Sequence, residues 1–174
     1  MMGVGKSSVG REAARLLGWP CLDNDDQVRE LAGMASPEIA TSQGVGALHR
    51  FECEALDAVL AHPGPIVASA AGSVVDDVAW RRQSGQDILV VWLRARPETL
   101  LARVGAGADR RAVARSAAWT EVTLARREPA FAAVADIVLD VDELSVDACA
   151  AALVKIVGRD GRRRRSNGVT ANRR

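Results

Sequence analysis

A glycine-rich segment at the start of the chain ends in Gly5-Lys6-Ser7 and leads directly into a helical pattern. Glycines let the backbone curl so that successive N–H groups face a chain of phosphates. A lysine in this position reaches the β- and γ-phosphates, and the hydroxyl group after it holds Mg²⁺. We therefore predict a helix from Ser7 to Leu17. Ahead of it we predict a phosphate-binding loop of Gly3, Val4, Gly5, Lys6, Ser7 and Ser8.

The loop pattern is incomplete at its beginning. The full pattern, G-x-x-x-x-G-K-[ST], places another glycine one position ahead of Met1, and an apolar strand normally leads into it. We therefore expect the sequence to be truncated, or its start to be assigned too late, so that the first (central) strand of a sheet is missing. Lys6 and Lys155 are the only lysines in a chain whose other cationic side chains are arginine. This rarity favours a functional role for Lys6.

The composition is that of a globular protein. The 174 residues are 48% hydrophobic and 26% charged, with a net charge of +1, so we expect one domain and no nucleic-acid partner. The three cysteines lack metal-ligand spacing and there are two histidines, which indicates reduced thiols and no zinc site. We find no signal peptide and no apolar run near 18 residues. We expect a cytoplasmic monomer that acts on a small molecule and not at a membrane.

Apolar runs of strand length alternate with helical patterns, which predicts an α/β fold with a parallel sheet. The predicted strands are 20–23, 66–69, 87–93 and 135–140. The predicted helices after the first are 27–34, 38–41, 46–61, 76–82, 97–104, 119–133 and 146–157. The run at 87–93 is apolar throughout, including Trp92, so we expect a strand buried on both faces. The arginine-rich end divides the chain into a folded domain, 1–157, and a disordered basic tail, 158–174.

An acidic segment, Asp23-Asn24-Asp25-Asp26, follows the first of these strands. Ligands bind at the carboxyl ends of strands in an open parallel sheet. A carboxylate there holds Mg²⁺ through water or accepts a proton from a substrate hydroxyl. An aspartate at this boundary also serves as a helix N-cap. We assign the cap to Asp26 and functional roles to Asp23 and Asp25.

With this segment the chain resembles the shikimate kinases, small P-loop kinases of the nucleoside-monophosphate-kinase type. The resemblance rests on Gly-Val-Gly-Lys-Ser-Ser-Val-Gly, Leu-Gly-Trp-Pro and Leu-Asp-Asn-Asp, and it covers residues 1–157. It implies a three-layer P-loop kinase fold, in which helices flank a parallel sheet. It also implies ATP and Mg²⁺ as cofactors, and a place in the shikimate pathway of aromatic amino acid biosynthesis.

The resemblance implies these roles on the nucleotide side. Lys6 would act catalytically on the phosphates, and Ser7 and Asp23 would hold Mg²⁺. Arg103 would stack on adenine. Arg110 (or Arg111) would be the lid arginine that covers the transferred phosphoryl group and takes part in catalysis.

The resemblance also implies an acceptor side. Asp25 would grip the shikimate hydroxyl and help to deprotonate it. Arg127 would clamp the substrate carboxylate, within a stretch similar to the family's Arg-x-x-Leu-Tyr. His49 and Gly72 stand at two further substrate-binding positions.

The acceptor side is where the chain departs from the family pattern. Ala70-Ala71-Gly72 replaces three glycines, so methyl groups stand where the backbone should approach the substrate. His49 replaces an arginine, although histidine offers one donor at a time and is largely neutral at pH 7. Arg50 projects about 100° away on a helix and is a poor substitute. Val45 replaces a glutamate, and the lid segment 109–113 lacks the family's Arg-Pro-Leu.

Two other functions fit the same residues. The stretch Gly-Trp-Pro…Asp-x-Asp-Asp also resembles gluconokinases, so the acceptor could be another sugar acid. A nucleotide-binding protein without kinase activity, with a basic tail that contacts a partner, is a third interpretation. Turnover with shikimate, turnover with sugar acids, or ATP binding that no acceptor affects would separate the three.

Overall fold

The computed structural model of the protein describes residues 3–77, 88–105 and 117–171. The described strands are β1 Cys21–Asp23, β2 Val67–Ser69, β3 Val91–Arg94 and β4 Ile137–Asp140. The described helices are α1 Lys6–Leu17, α2 Asn24–Ala32, α3 Ser36–Ser42, α4 Val45–Leu60, α5 Pro97–Gly105, α6 Ala117–Val134 and α7 Val146–Ala171. A single 3₁₀ turn, Val74–Asp76, follows β2. The order of strands and helices along the chain is the one that the sequence predicts.

The strands form two parallel pairs. β1 pairs with β2, with Cys21 opposite Val67, and β3 pairs with β4, with Val91 opposite Ile137. Among the described residues, no ladder joins the two pairs. The predicted α/β class with parallel strands is confirmed, and the helices between the strands supply the crossovers that parallel pairing needs.

Helix α1 packs between the two pairs of strands. A Cβ added at Gly10 would lie 3.8 Å from Cys21 Sγ and 3.8 Å from Val67 Cγ1, so this face lies against β1 and β2. The preceding residue of the same helix, Val9, lies in a separate group of buried side chains. That group consists of Val4, Val9, Ala95, Leu100, Val141 and Cys149. The phosphate loop and α1 are therefore built into the core.

Another core cluster lies beneath the segment after β2. Trp92 stacks on Phe131 with ring centroids 5.4 Å apart, and both pack with Leu56, Val74 and Val75. Offset stacking adds about 0.5–1.5 kcal/mol to what burial alone provides. The prediction that Trp92 is a core residue is confirmed, since it is buried. This cluster fixes α4, α6 and the 3₁₀ turn relative to one another.

Several boundaries differ from the predictions by a few residues, and two of these differences have a local physical reason. Helix α2 begins at Asn24, earlier than predicted, because the Asp23 side chain accepts a hydrogen bond from Asp25 N at 3.0 Å and caps the helix. The assignment of the cap to Asp26 is therefore wrong. At Asp76 the structure has the end of a 3₁₀ turn, and Asp77 is extended, where the sequence predicts the start of an α-helix; the rest of that segment, 78–87, lies outside the described residues.

Helix α7 runs from Val146 to Ala171, beyond the predicted helix end at Val157. Arginine is a strong helix former, so the arginine run at 162–165 favours continuation of the helix. The division into a domain, 1–157, and a tail, 158–174, stays a prediction. Of the helices that the structure describes, none combines the length and the apolar character needed to cross a membrane.

Candidate active site

The phosphate-loop residues lie at the amino end of α1, where the backbone turns sharply. Gly3 and Gly5 have φ angles of 82° and 93°, and Gly5 is the N-cap residue, with no side-chain cap. A left-handed backbone costs a residue with a side chain about 1–2 kcal/mol, so glycine is favoured here. The N–H groups of a first helical turn have no intrahelical acceptors, which suits this end of α1 to an anion.

Lys6 and Ser7 meet the acidic segment at a small cavity. The cavity is lined by Lys6, Ser7, Asp23, Asn24, Asp25, Ser69, Ala70 and Ala71. These residues come from the start of α1, the carboxyl end of β1 and the segment after β2. The fold thus brings the cationic side chain of the loop to the carboxylates at a strand end, the meeting expected for a parallel sheet.

A larger cavity of about 360 Å³ opens on the other side of the phosphate loop. It is lined by Gly3, Val4, Gly5, Ser8, Val9, Arg103, Leu144, Ser145, Val146 and Cys149. The Arg103 guanidinium donates to Val141 O at 2.8 Å and, through longer contacts, to Asp142 O and Val4 O. Arg103 therefore ties the phosphate loop to the end of β4 at one wall of this cavity.

Asp23 has one satisfied and one unsatisfied oxygen. Oδ1 caps α2, whereas Oδ2 is buried and accepts no hydrogen bond from the described residues. The exposed side chain of Arg11 places its Nη2 3.9 Å from this oxygen. An unsatisfied buried carboxylate oxygen is costly. This oxygen borders the cavity that holds Ser7, so it is placed to accept from a water molecule or to face a cation.

The Asn24 side chain connects the elements around the site through two hydrogen bonds. The side chain is buried; its Oδ1 accepts from Ala71 N at 2.9 Å, and its Nδ2 donates to Glu52 O at 3.2 Å. One amide thus joins α2, α4 and the loop after β2. The sequence does not reveal this role, because both partners are distant in the chain. Asp25, the next residue, is exposed at the cavity rim.

Arg127 lies on α6 and contacts the 3₁₀ turn. Its Nε and Nη2 donate to Asp76 Oδ2 at 3.1 and 2.8 Å. The Arg127 side chain is 18% exposed, whereas neighbouring Arg126, 3.7 Å from the same oxygen, is 67% exposed. The structure therefore distinguishes the two arginines: Arg127 is held in place, and Arg126 extends toward solvent.

Glu52 is a central acidic residue that sequence reasoning missed. Burial raises its pKa, and a hydrogen bond from Ser73 together with the charges of His49 and Arg127 counteracts that rise, while Asp25 adds to it. The Ser73 hydroxyl donates to Glu52 Oε2 in a short hydrogen bond, and His49 Nδ1 lies 3.9 Å from the same oxygen. The predicted residues Asp25, His49 and Arg127 thus share one electrostatic environment. The sequence signal for Glu52 is its spacing from His49, three positions along the same helical face.

The two remaining predicted site residues are Gly72 and Arg110. Gly72 lies in the turn between β2 and the 3₁₀ turn and is half-buried. Its neighbours Ala70 and Ala71 pack against the cluster that contains Trp92, so the methyl groups of this loop contact the core. Arg110, with the rest of the lid segment 106–116, lies outside the described residues.

Comparison with known sequences gives one consistent result. Residues 2–157 match the family described as shikimate kinase. A shikimate kinase of Moorella thermoacetica is 38% identical over 144 residues, which cover 81% of this chain and 81% of that protein. Shikimate kinases of Bradyrhizobium diazoefficiens and Nitrobacter winogradskyi are 33% and 35% identical over 75% of this chain, and 64% and 62% of their own lengths.

Solved structures give the same fold. A shikimate kinase from Acinetobacter baumannii, in complex with shikimate, superposes with a TM-score of 0.81 at 23% identity, over 91% of this chain and 89% of that one. A shikimate kinase from Bacteroides thetaiotaomicron superposes with a TM-score of 0.80 at 21% identity, over 91% and 94% of the two chains. These likenesses confirm the P-loop kinase architecture. With the sequence match over residues 2–157, they lead to one conclusion: the chain belongs to the shikimate kinase family.

Proposed function

We propose that the protein is an ATP-dependent kinase that transfers the γ-phosphoryl group to a hydroxyl group of shikimate. The observation that carries this proposal is the small cavity at which Lys6 and Ser7 meet Asp23 and Asp25. Phosphoryl transfer depends on positioning and on stabilising charge rather than on covalent chemistry by the protein. A cationic loop facing a pair of carboxylates at a strand end supplies both.

The nucleotide is proposed to lie along the phosphate loop. Backbone N–H groups of Gly3, Val4, Gly5 and Ser8 would contact the phosphates, and Lys6 would bind the β/γ region and stabilise the charge that develops there. The adjoining cavity of about 360 Å³ is large enough for a purine base. The Arg103 guanidinium, held by backbone carbonyls at the wall of that cavity, would lie against the base.

The residues on the acidic side fit Mg²⁺. Magnesium prefers oxygen ligands and keeps several of its waters, and Asp23 Oδ2 is a buried carboxylate oxygen without a hydrogen-bond donor among the described residues. Ser7 would be a direct ligand, and Asp23 would accept from metal-bound water. When bound, the ion would neutralise charge on the transferring phosphates.

On the acceptor side, Asp25 is proposed to orient the attacking hydroxyl and to accept its proton. Its exposed position at the rim of the small cavity leaves it accessible to a substrate. Arg127, His49 and Gly72 would contact the acceptor, with Arg127 pairing with its carboxylate. Arg110 would cover the transferred group from the segment 106–116. The same arrangement suits other sugar acids, so gluconate is the alternative acceptor to test.

The test is ADP release in the presence of ATP and shikimate, with Asp25→Asn and Asp26→Asn as a matched pair. Removing a general base costs about 10²–10⁴-fold in rate, so Asp25→Asn should lose at least about 100-fold in kcat and keep its ATP affinity. Asp26, which is exposed on the first turn of α2, should tolerate the change. Equal rates for the two variants would contradict the role of Asp25. ATP binding without turnover on shikimate would contradict the acceptor.

Two properties of the whole protein belong to the same proposal. We expect the enzyme to work as a monomer in the cytoplasm, without nucleic acid. Light scattering of the purified chain, at several concentrations, tests the first of these expectations.

A further inference from the structure

Three side chains of different chemistry converge beside the acceptor side. His49 and Cys53 lie one turn apart on α4, and Asp77 follows the 3₁₀ turn. His49 Nε2 is 3.8 Å from Cys53 Sγ, and Cys53 Sγ is 3.9 Å from Asp77 Oδ2. One nitrogen, one sulfur and one carboxylate oxygen all lie within 4.8 Å of one another. We refer to these three residues as the His-Cys-Asp cluster.

The spacing of the cluster is close to that of ligands around a tetrahedral metal ion. Bonds of about 2.0–2.3 Å to zinc would hold such atoms roughly 3.3–3.6 Å apart. Two of the observed separations, 3.8 and 3.9 Å, exceed this by a few tenths of an ångström, and the third, between His49 and Asp77, is within 4.8 Å. Side-chain rotation would draw the three atoms together around an ion. All three residues are half-buried, so they are shielded from bulk water without being inaccessible.

The histidine is oriented for this role by a neighbouring carboxylate. Its Nε2 faces Cys53, whereas its Nδ1 faces Glu52 Oε2 at 3.9 Å. Metal-binding histidines commonly have a carboxylate at the other ring nitrogen, which selects the tautomer and makes the ring a better ligand. Glu52 is itself fixed by the hydrogen bond from Ser73. The ring therefore presents its second nitrogen toward the thiol and Asp77.

The electrostatic surroundings of the thiol favour a cation. Asp77 Oδ2 lies 3.9 Å from the thiol, and Glu52 Oε2 lies 3.9 Å from His49 Nδ1. These carboxylates attract a divalent ion, which on binding the sulfur would displace the thiol proton to solvent.

We propose that His49, Cys53 and Asp77 form a binding site for a divalent transition metal of the zinc class. Imidazole, thiolate and carboxylate together suit Zn²⁺, and three protein ligands leave a fourth position for water. Bound metal would join α4 to the segment after β2, next to Asp76 and its partner Arg127. This site is separate from the proposed Mg²⁺ site at Ser7 and Asp23, and it does not depend on kinase activity. It shares His49 with the proposed acceptor side, so bound metal would withdraw that ring from contact with the acceptor.

Cobalt(II) titration of the full chain tests the site without nucleotide or acceptor. The wild-type protein should bind one equivalent of Co²⁺, with a thiolate-to-cobalt charge-transfer band in the near ultraviolet and tetrahedral bands in the visible. Zinc should displace the cobalt and bleach both. Asp77→Asn should weaken binding at least about tenfold, and Cys53→Ser should lose the charge-transfer band.

Cys21→Ser is the matched control, because Cys21 is another half-buried free thiol, outside the cluster. That variant should keep the band and the affinity. A wild-type chain with no charge-transfer band would overturn the proposal, whatever the variants do. It would also be overturned if Cys53→Ser kept the band, since the thiolate would then be Cys21 or Cys149. Circular dichroism in metal-free buffer confirms folding, and Asp77→Asn provides the test if Cys53→Ser does not fold.

Discussion

Arg127 and Asp76 form an ion pair in which two guanidinium nitrogens donate to one carboxylate oxygen, at 3.1 and 2.8 Å. The pair joins α6 to the 3₁₀ turn after β2. The ion pair holds the Arg127 side chain, which is mostly buried, next to the residues that we propose contact the acceptor. Arg127 is therefore positioned before any substrate arrives, which lowers the entropic cost of binding.

Removing this arginine should impair acceptor binding selectively. Arg127→Ala should raise the KM for shikimate by about tenfold or more, since hydrogen bonds to charged groups contribute about 1.5–3 kcal/mol. The KM for ATP should stay within about twofold, because Arg127 lines neither of the two cavities that the phosphate loop borders. Arg126→Ala is the matched control, with little effect expected from a side chain that is 67% exposed. Steady-state kinetics with each substrate varied in turn would measure both, and equal effects of the two variants would refute the assignment.

Two glycines of the phosphate-loop region should respond in opposite directions to the same change. Gly5→Ala should lower the free energy of unfolding by about 1–2 kcal/mol because it forces a side chain into the left-handed region, and φ there is 93°. Gly10→Ala should raise it by about 0.5–1 kcal/mol through helix propensity. A Cβ at Gly10 meets no atom closer than 3.8 Å. Urea denaturation of both variants checks the signs, and destabilisation by Gly10→Ala would show that α1 packs more tightly against β1 and β2.

Loss of the Asn24 amide should destabilise the fold and misplace the loop after β2. Asn24→Ala leaves the partners of two buried hydrogen bonds unsatisfied, which we expect to lower the free energy of unfolding by about 1–3 kcal/mol. The acceptor KM should rise because Ala71 loses its anchor. Asp26→Ala, on the exposed face of the same helix, is the control for effects of α2 itself. If Asn24→Ala had wild-type stability, the structural role proposed for the two Asn24 hydrogen bonds would be wrong.

Glu52 should make the stability of the protein fall as pH rises through the acidic range. Burial raises its pKa above the ordinary value of 4.5. A carboxyl group with a raised pKa contributes stability that is present below its unfolded pKa and lost as pH rises through its folded pKa. The stability of wild type relative to Glu52→Gln should therefore decrease as pH rises above the ordinary carboxyl value of 4.5.

Glu12 supplies an internal control for this pH dependence, because its shift has the opposite sign. The hydrogen bond from Arg15 lowers the pKa of Glu12, so its contribution is present above its unfolded pKa and lost as pH falls. The stability of wild type relative to Glu12→Gln should rise with pH up to the unfolded value of 4.5 and stay level above it. Denaturant unfolding at a series of pH values measures both differences, and slopes of the same sign would refute one of the two pKa directions.

Local signals in the sequence predict much of this fold. Glycines and a lysine at a helix start locate the phosphate loop, and the alternation of apolar runs with helical patterns gives the parallel α/β class. Boundaries depend on finer effects. Helix α2 starts early because Asp23 both ends a strand and caps the helix, and α7 extends because arginines continue a helix well.

The contacts that organise the site are the part that the sequence conceals. In the sequence, Asn24 occupies the unspecified middle position between two aspartates. In the structure it hydrogen-bonds to the backbone of Ala71 and of Glu52. In the His-Cys-Asp cluster, His49 and Cys53 lie four positions apart on α4, a spacing that puts two ligands on one helical face. Asp77 reaches them only through the packing of α4 on the 3₁₀ turn. Long-range contacts of this kind follow from tertiary structure, and no local pattern specifies them.

Helix α1 begins at the phosphate loop, and its two faces lie against different pairs of strands, with Gly10 toward β1 and β2 and Val9 toward the core beside β4. A ligand held at the first turn therefore stabilises a helix that packs against β1 and β2 on one side and against the cluster beside β4 on another. Backbone amides far from the loop, in β1 and β4 alike, should consequently exchange with deuterium more slowly when nucleotide is bound. Nucleotide bound at the surface of the protein would in this way reduce the local opening of strands in its interior.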